Sequence, residues 1–240
     1  MKRPADHDSD KAPDKAARIL AVTRDLVLRR GVKGVTVAEI AEKAHVGKGT
    51  AYLYWATKED LLIDLFAREF LEVLEADIAA LSADPDLARP QRFCPRLIRN
   101  AVERPFMRAL QANDGDLLGV LAGHPRTKEL LVHVGPAALM YTVLPVWREH
   151  RLARADWALD AQAYALRAVM AGFLDSATSG GAPGGITVAD ADAVMAATVT
   201  ALLGGERASA ADVHATAAEG LRLLREKREI LLSLLAVKRE

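Results

Sequence analysis

The sequence predicts an all-α fold with a small N-terminal head of three helices, two of them forming a helix-turn-helix, followed by a larger helical body. Three observations predict it. Alanine and leucine dominate, and aromatic residues make up only 5% of the chain, a composition that favours helices. Apolar residues recur at helical spacing along most segments, and no convincing period-two strand interrupts them. Near the N-terminus, two short helical segments are separated by a turn of about three residues, the spacing of a helix-turn-helix.

The chain has 240 residues, 51% apolar and 27% charged, enough for a large core in one or two domains. Cys94 is the only cysteine, so an internal disulfide and a thiolate metal cluster are excluded, and a reducing, cytoplasmic setting fits. The longest uncharged apolar stretch, Val134 to Trp147, has 14 residues and two prolines. It falls short of the ~20 residues a membrane span needs. The opening "MKRPADHDSDKAPD" lacks the apolar segment of a secretory signal and reads as a disordered arm over residues 1–13. Net charge is zero, which argues against a polyelectrolyte. Residues 11–60, however, hold ten Lys or Arg against six Asp or Glu. This local positive excess suits a nucleic-acid-binding head, although a charged helix face is often only solvated.

The elements follow in order. Asp14 is a good N-cap for a first helix with Ile19, Leu20, Val22, Leu26 and Val27 on its apolar face, and Gly31 stands at its end. Thr36 with Glu39 three residues on forms a capping-box signature for the second helix, where Ile40 and Ala44 face inward. His45, Val46 and Gly47 form the turn. The third helix, in "VGKGTAYLYW", has only Ala51 and Trp55 as an obvious buried stripe. Thr57 caps a long amphipathic helix over residues 58–82. Beyond it, "SADPDLARPQRFCP" reads as a connection. Helices are then expected from Pro95 to Asn113, near Asp116 to Ala122, from Arg126 to about His150, through "ADWALDAQAYALRAVMAGFLDSATS", from Ala189 to Leu203, and from about Asp212 to the end. The head therefore occupies residues 14–60 and the body 61–240.

The narrow stripe of the third helix has a geometric explanation. The second helix of a helix-turn-helix enters the DNA major groove by its N-terminal end, so side chains over a wide arc can reach DNA. Lys48 can donate to guanine edges or phosphate, Gly49 lets the backbone approach closely, and Thr50 can serve a base or a phosphate. Tyr52 and Tyr54 offer flat rings and hydroxyls. The start of the second helix at Thr36 favours a phosphate, and Lys58 is placed for another. The plainer alternatives are solvated lysines at Lys48 and Lys58, packing at Tyr52 and Tyr54, and a purely capping Thr36.

The segment "TVAEIAEKAHVGKGTAYLYWATKEDLL", residues 36–62, resembles the N-terminal domain of the TetR family of transcriptional regulators. The family pattern Gly-Thr-x-Tyr-x-Tyr-Phe followed by Lys-Glu-x-Leu stands here as Gly49, Thr50, Tyr52, Tyr54, Trp55, Lys58, Glu59, Leu61 and Leu62. The resemblance covers roughly residues 14–70. Three positions depart from it: His45 where the turn usually has glycine, Gly47 where serine usually precedes the recognition helix, and Trp55 in place of phenylalanine.

The resemblance implies a homodimer on palindromic double-stranded operator DNA, and a helical body that dimerises and holds a small-molecule effector. Late helices commonly form such an interface, with Leu174, Met195, Val199 and Leu202 as candidates. Phe106, Met107, Met140, Tyr141, Trp147 and Phe173 are candidates for a mostly apolar pocket, against the alternative that each is ordinary core. The remaining histidines lack metal-ligand spacing, "GGAPGG" is no phosphate loop, and no nucleophile elbow is present. No metal, cofactor or catalytic residue is assigned, and no membrane partner is expected. The leading expectation is a ligand-responsive repressor. The alternatives are an activator or a regulator without a small ligand, and a helical enzyme or ligand carrier whose N-terminal motif is vestigial.

Overall fold

A computed structural model describes residues 12–106, 136–178, 188–204 and 207–236. All regular elements among them are helical: α1 (Ala12–Arg30), α2 (Val37–Lys43), α3 (Lys48–Tyr54), α4 (Lys58–Ala83), a 3-10 turn (Pro85–Ala88), α5 (Pro90–Glu103), α6 (Pro136–Glu149), α7 (Leu159–Thr178), α8 (Ala191–Leu203) and α9 (Ala210–Ala236). The chain divides into two compact units after Arg68, within α4 rather than at residue 60. Leu61, Leu62, Leu65 and Phe66 are all buried and group with the first unit, so the long helix contributes its first turns to the head.

In the head, α1, α2 and α3 pack on one another. Ile19, Leu26 and Val27 of α1 are buried, as are Ile40, Ala41 and Ala44 around α2 and Ala51 and Trp55 around α3. The first helix starts at Ala12, two residues before the expected cap at Asp14, because Pro13 is accommodated in a first turn whose N–H groups are unpaired in any case. It ends as expected, with Gly31 at φ 69° donating its N–H to Val27 O at 2.8 Å.

The second unit has its own core, built from Cys94, Ile98 and Ala101 of α5, Met140, Leu144 and Trp147 of α6, Leu166, Met170 and Leu174 of α7, and Met195, Val199 and Leu203 of α8. Spacings of three and four residues align each set into one inward stripe. The helix expected to begin at Pro95 begins at Pro90, where proline's fixed φ suits the first helical position. Pro95 lies inside α5 and is buried beside Cys94. Asp77 of α4 accepts two hydrogen bonds from Arg96 (3.1 and 2.8 Å) and one from Asn100 (3.3 Å), tying α4 to α5. Burial pushes the Cys94 thiol up to about 12, which leaves no thiolate at neutral pH and makes it an inert core residue.

A reciprocal cap starts α9. Ser209 N–H and Oγ–H donate to Asp212 Oδ2, both at 2.7 Å, and Asp212 N–H donates to Ser209 Oγ at 3.2 Å. Arg151 adds a hydrogen bond to the same carboxylate at 2.5 Å. The Ser209 hydrogen bonds, with help from Arg151, hold the Asp212 carboxyl at about 2, below its ordinary 3.8. A carboxyl depressed in the folded state contributes stability that is complete above the unfolded value and is lost as pH falls through the folded one. Asp212→Asn is therefore expected to lower the thermal midpoint at pH 6, with the gap to wild type closing as pH falls from about 4 towards 2. A gap that stays constant down to the lowest pH contradicts the assignment.

Candidate nucleic-acid interface

The α2–turn–α3 unit is assembled by local hydrogen bonds. Thr36 Oγ1 accepts from Glu39 N–H at 3.3 Å and starts α2. The capping box is only half formed, because the Glu39 carboxylate is taken by Arg30 at 2.6 Å. The hydroxyl hydrogen of Thr36 remains available, while seven-residue α2 offers little macrodipole of its own. At the other end of α2, Val46 N–H donates to Ala41 O (2.9 Å) and His45 N–H to Glu42 O (3.0 Å). This is the paired bonding of a Schellman turn. His45 occupies its left-handed position at φ 54°, so histidine adopts here the conformation that glycine usually supplies. Gly47 then caps α3 through its backbone alone, with no side-chain hydrogen bond.

Trp55 closes α3 and is the largest departure from the expected pattern. Its Nε1–H donates to Asp64 Oδ2 of α4 at 2.6 Å. Arg68 Nε–H donates to the other oxygen of the same buried carboxylate at 3.1 Å. The indole thus fills the site of the usual phenylalanine and adds a charge-assisted bond that a phenyl ring cannot make. Sequence reasoning missed Asp64, although a lone acid within the apolar run "LLIDLF" was a visible signal that some donor must meet it.

With Ala51 and Trp55 turned inward, α3 presents Lys48, Gly49, Tyr52 and Leu53 to the outside. Thr50 and Tyr54 flank this face half-buried, and the Tyr54 ring lies 5.5 Å from that of Trp55. Packing therefore shares Tyr54 with any outward role. Tyr52 is 43% exposed, and Lys48 Nζ lies 5.8 Å from its ring centroid. Among the described residues no carboxylate pairs with Lys48 or Lys58. Each is the first residue of its helix, where a positive charge opposes the peptide dipoles. The helix dipole therefore does not favour either lysine at its position. Leu53, 86% exposed, went unnoticed in the sequence, because a leucine in a short helix reads as core.

Residues 19–65 match the model of the bacterial regulatory proteins of the tetR family. The matched segment runs from α1 into the first turns of α4. An uncharacterized helix-turn-helix transcriptional regulator of Bacillus subtilis, YdeS, is 41% identical over 64 residues, 27% of this chain and 29% of its own length. The fatty acid metabolism regulator protein of the same organism is 37% identical over 67 residues, 27% of this chain and 34% of its own length. The chain thus spans about a third of the length of these curated relatives. A fatty acid degradation regulator from Bacillus halodurans shares the fold at a TM-score of 0.51, with 20% identity, 87% of this chain covered and 100% of the other.

The body places its expected residues differently. Phe106, Met140 and Trp147 are buried, and Phe173 packs against the core of the second unit. Trp147 is fully satisfied there: Nε1–H donates to Ala88 O at 2.8 Å and its ring meets Phe93 edge-on at 5.5 Å. Tyr141 does not join them. It is 54% exposed, because Met140, Leu144 and Trp147 occupy the inward side of α6. Met107 lies outside the described residues. Leu174, Met195 and Val199 are buried in the chain's own core and so are not free for a second subunit, while Leu202 is partly buried against that core. The same helices expose other faces, with Tyr164 (70% exposed), Ala168 and Ala171 on α7 and Val194, Ala197 and Ala201 on α8. Among the described residues there is no cluster of metal-ligating side chains and no helix long and apolar enough to cross a membrane.

Lys48→Ala and Tyr52→Ala are expected to weaken specific duplex binding at least tenfold in a mobility shift while leaving the helical content unchanged. Lys58→Ala is expected to weaken binding to all sequences alike and to reduce the salt slope by about 1. Unaltered affinity in the first two, or an unaltered slope in the third, removes that residue from the interface.

Proposed function

We propose that the protein is a transcriptional regulator that binds double-stranded operator DNA as a homodimer, and that it is a repressor released by a small, mostly apolar effector. The observation that carries the reading is the outward face of α3, where Lys48, Gly49, Tyr52 and Leu53 stand free of the protein's own core on a helix of the TetR-family head. Two half-sites follow from size, since a seven-residue helix spans about 10 Å and reads too few base pairs to select one site in a genome.

The alanine-rich outer faces of α7, where Arg167 is the one charge between Tyr164 and Ala171, and of α8 support the dimer. Small alanines allow close helix approach, and Tyr164 and Val194 leave exposed apolar area that a second copy can bury. Release requires an effector that prefers the arrangement unable to bind DNA, and a tenfold loss of affinity needs ~1.4 kcal/mol of that preference. The buried aromatic and methionine side chains of the second unit make apolar chemistry the natural match for it.

The test is to select bound fragments from genomic DNA with the purified full-length chain and to measure its mass by sedimentation. The expected result is a recurrent near-palindromic site bound by a dimer, with Ala168→Glu giving monomers that bind the site weakly. Recovery of unrelated fragments only, or a monomer that binds one half-site as tightly as the full site, contradicts the proposal.

A further inference from the structure

We infer that Gly49 and Leu53 together form a notch on α3 that receives the 5-methyl group of a thymine in the major groove. This rests on the DNA-binding reading given above and names what one part of that surface recognises.

Leu53 is 86% exposed, more than any other large apolar side chain among the described residues. Nothing in the head covers it, and the capping, turn and core contacts of α3 do not use it. Helical side chains lean towards the N-terminus, over the residue four positions earlier. For Leu53 that residue is Gly49. A β-carbon built on Gly49 would meet nothing within 4 Å, so the space before the leucine is open, and neither packing nor backbone geometry inside the protein requires glycine there. An alanine there would also favour the helix. The position keeps a vacancy of methyl size beside an exposed isobutyl group.

Lys48 and Tyr52 border the same face. Lys48, unpaired with any carboxylate among the described residues, brings positive charge that suits a phosphate-lined groove. Base edges in that groove present hydrogen-bond donors and acceptors at every pair, but the thymine methyl is their only apolar group. An apolar notch flanked by a cation and a phenol therefore fits thymine and leaves the other bases with an unpartnered leucine.

The test uses the full-length protein and the duplex recovered by genomic selection, with each thymine replaced singly by deoxyuridine, which removes the methyl group and nothing else. At one position in each half-site the wild type is expected to lose about fourfold in affinity, the equivalent of one buried methyl at ~0.8 kcal/mol. Leu53→Ala is expected to bind the thymine and deoxyuridine duplexes equally, with the wild-type salt slope. Gly49→Ala, which fills the notch, is expected to shrink the thymine advantage as well. A wild type that prefers the selected site over random duplex yet ignores every deoxyuridine replacement overturns this inference and leaves the DNA-binding reading standing. A Leu53→Ala variant that keeps the fourfold ratio also overturns it. A wild type with no preference for any duplex overturns both.

Discussion

The hydrogen bond from the Trp55 indole to the buried Asp64 carboxylate, 2.6 Å long, carries more of this head than its size suggests. A seven-residue helix cannot support itself in water, since nucleation costs more than its few internal bonds return. It must be held by tertiary contacts. Here those contacts centre on a stripe, Ala51 at one turn and Trp55 at the next, with Thr50 and Tyr54 half-buried beside it. Trp55 in turn is fixed to α4 by an acceptor that Arg68 also grips. Because so few side chains fasten α3, the others are released for outside work. The wide outer face is a consequence of the economical inner one.

Charge placement follows the same logic. Aspartate and threonine start α4 in the stabilising sense, with Asp60 N–H donating to Thr57 Oγ1 at 3.0 Å. Lys58, the first residue of that helix, stands against the local dipole, and so does Lys48 at the start of α3. A fold selected for stability alone would place acids at both positions. The unfavourable local electrostatics are reconciled if a polyanion completes them, and the double helix, with one negative charge per ~1.7 Å of its axis, is such a polyanion.

The head was largely legible in the sequence because its signals are local. The Thr36 cap, the glycine stop at Gly31 and the Ala51–Trp55 stripe each involve residues within one turn of each other. His45 was readable as a left-handed turn residue for the same reason, and its φ of 54° agrees. What escaped were the contacts made across sequence. Glu39 abandons half of its capping box for Arg30, nine residues back, and Trp55 finds Asp64, nine residues ahead. In the body, periodicity located α7 and α8 but could not say which side faces inward, because both faces of these alanine-rich helices are weakly polar. Leu174, Met195 and Val199 went to the core, leaving Tyr164 and Val194 outside. Pro95 misled for a different reason: a proline reads as a boundary, whereas burial beside Cys94 and Ile98 holds it inside α5.

The most direct measurement of this account is the NMR spectrum of the head's side chains, in the full-length protein, with and without a duplex it selects. Contacts are expected from Lys48, Tyr52 and Leu53 to major-groove protons. The Trp55 indole N–H resonance is expected to remain where the Asp64 bond places it, since the inner stripe does not take part. Groove contacts arising from α1 instead, or an indole N–H that leaves Asp64 when DNA binds, would contradict the division of α3 into a fastening side and a reading side.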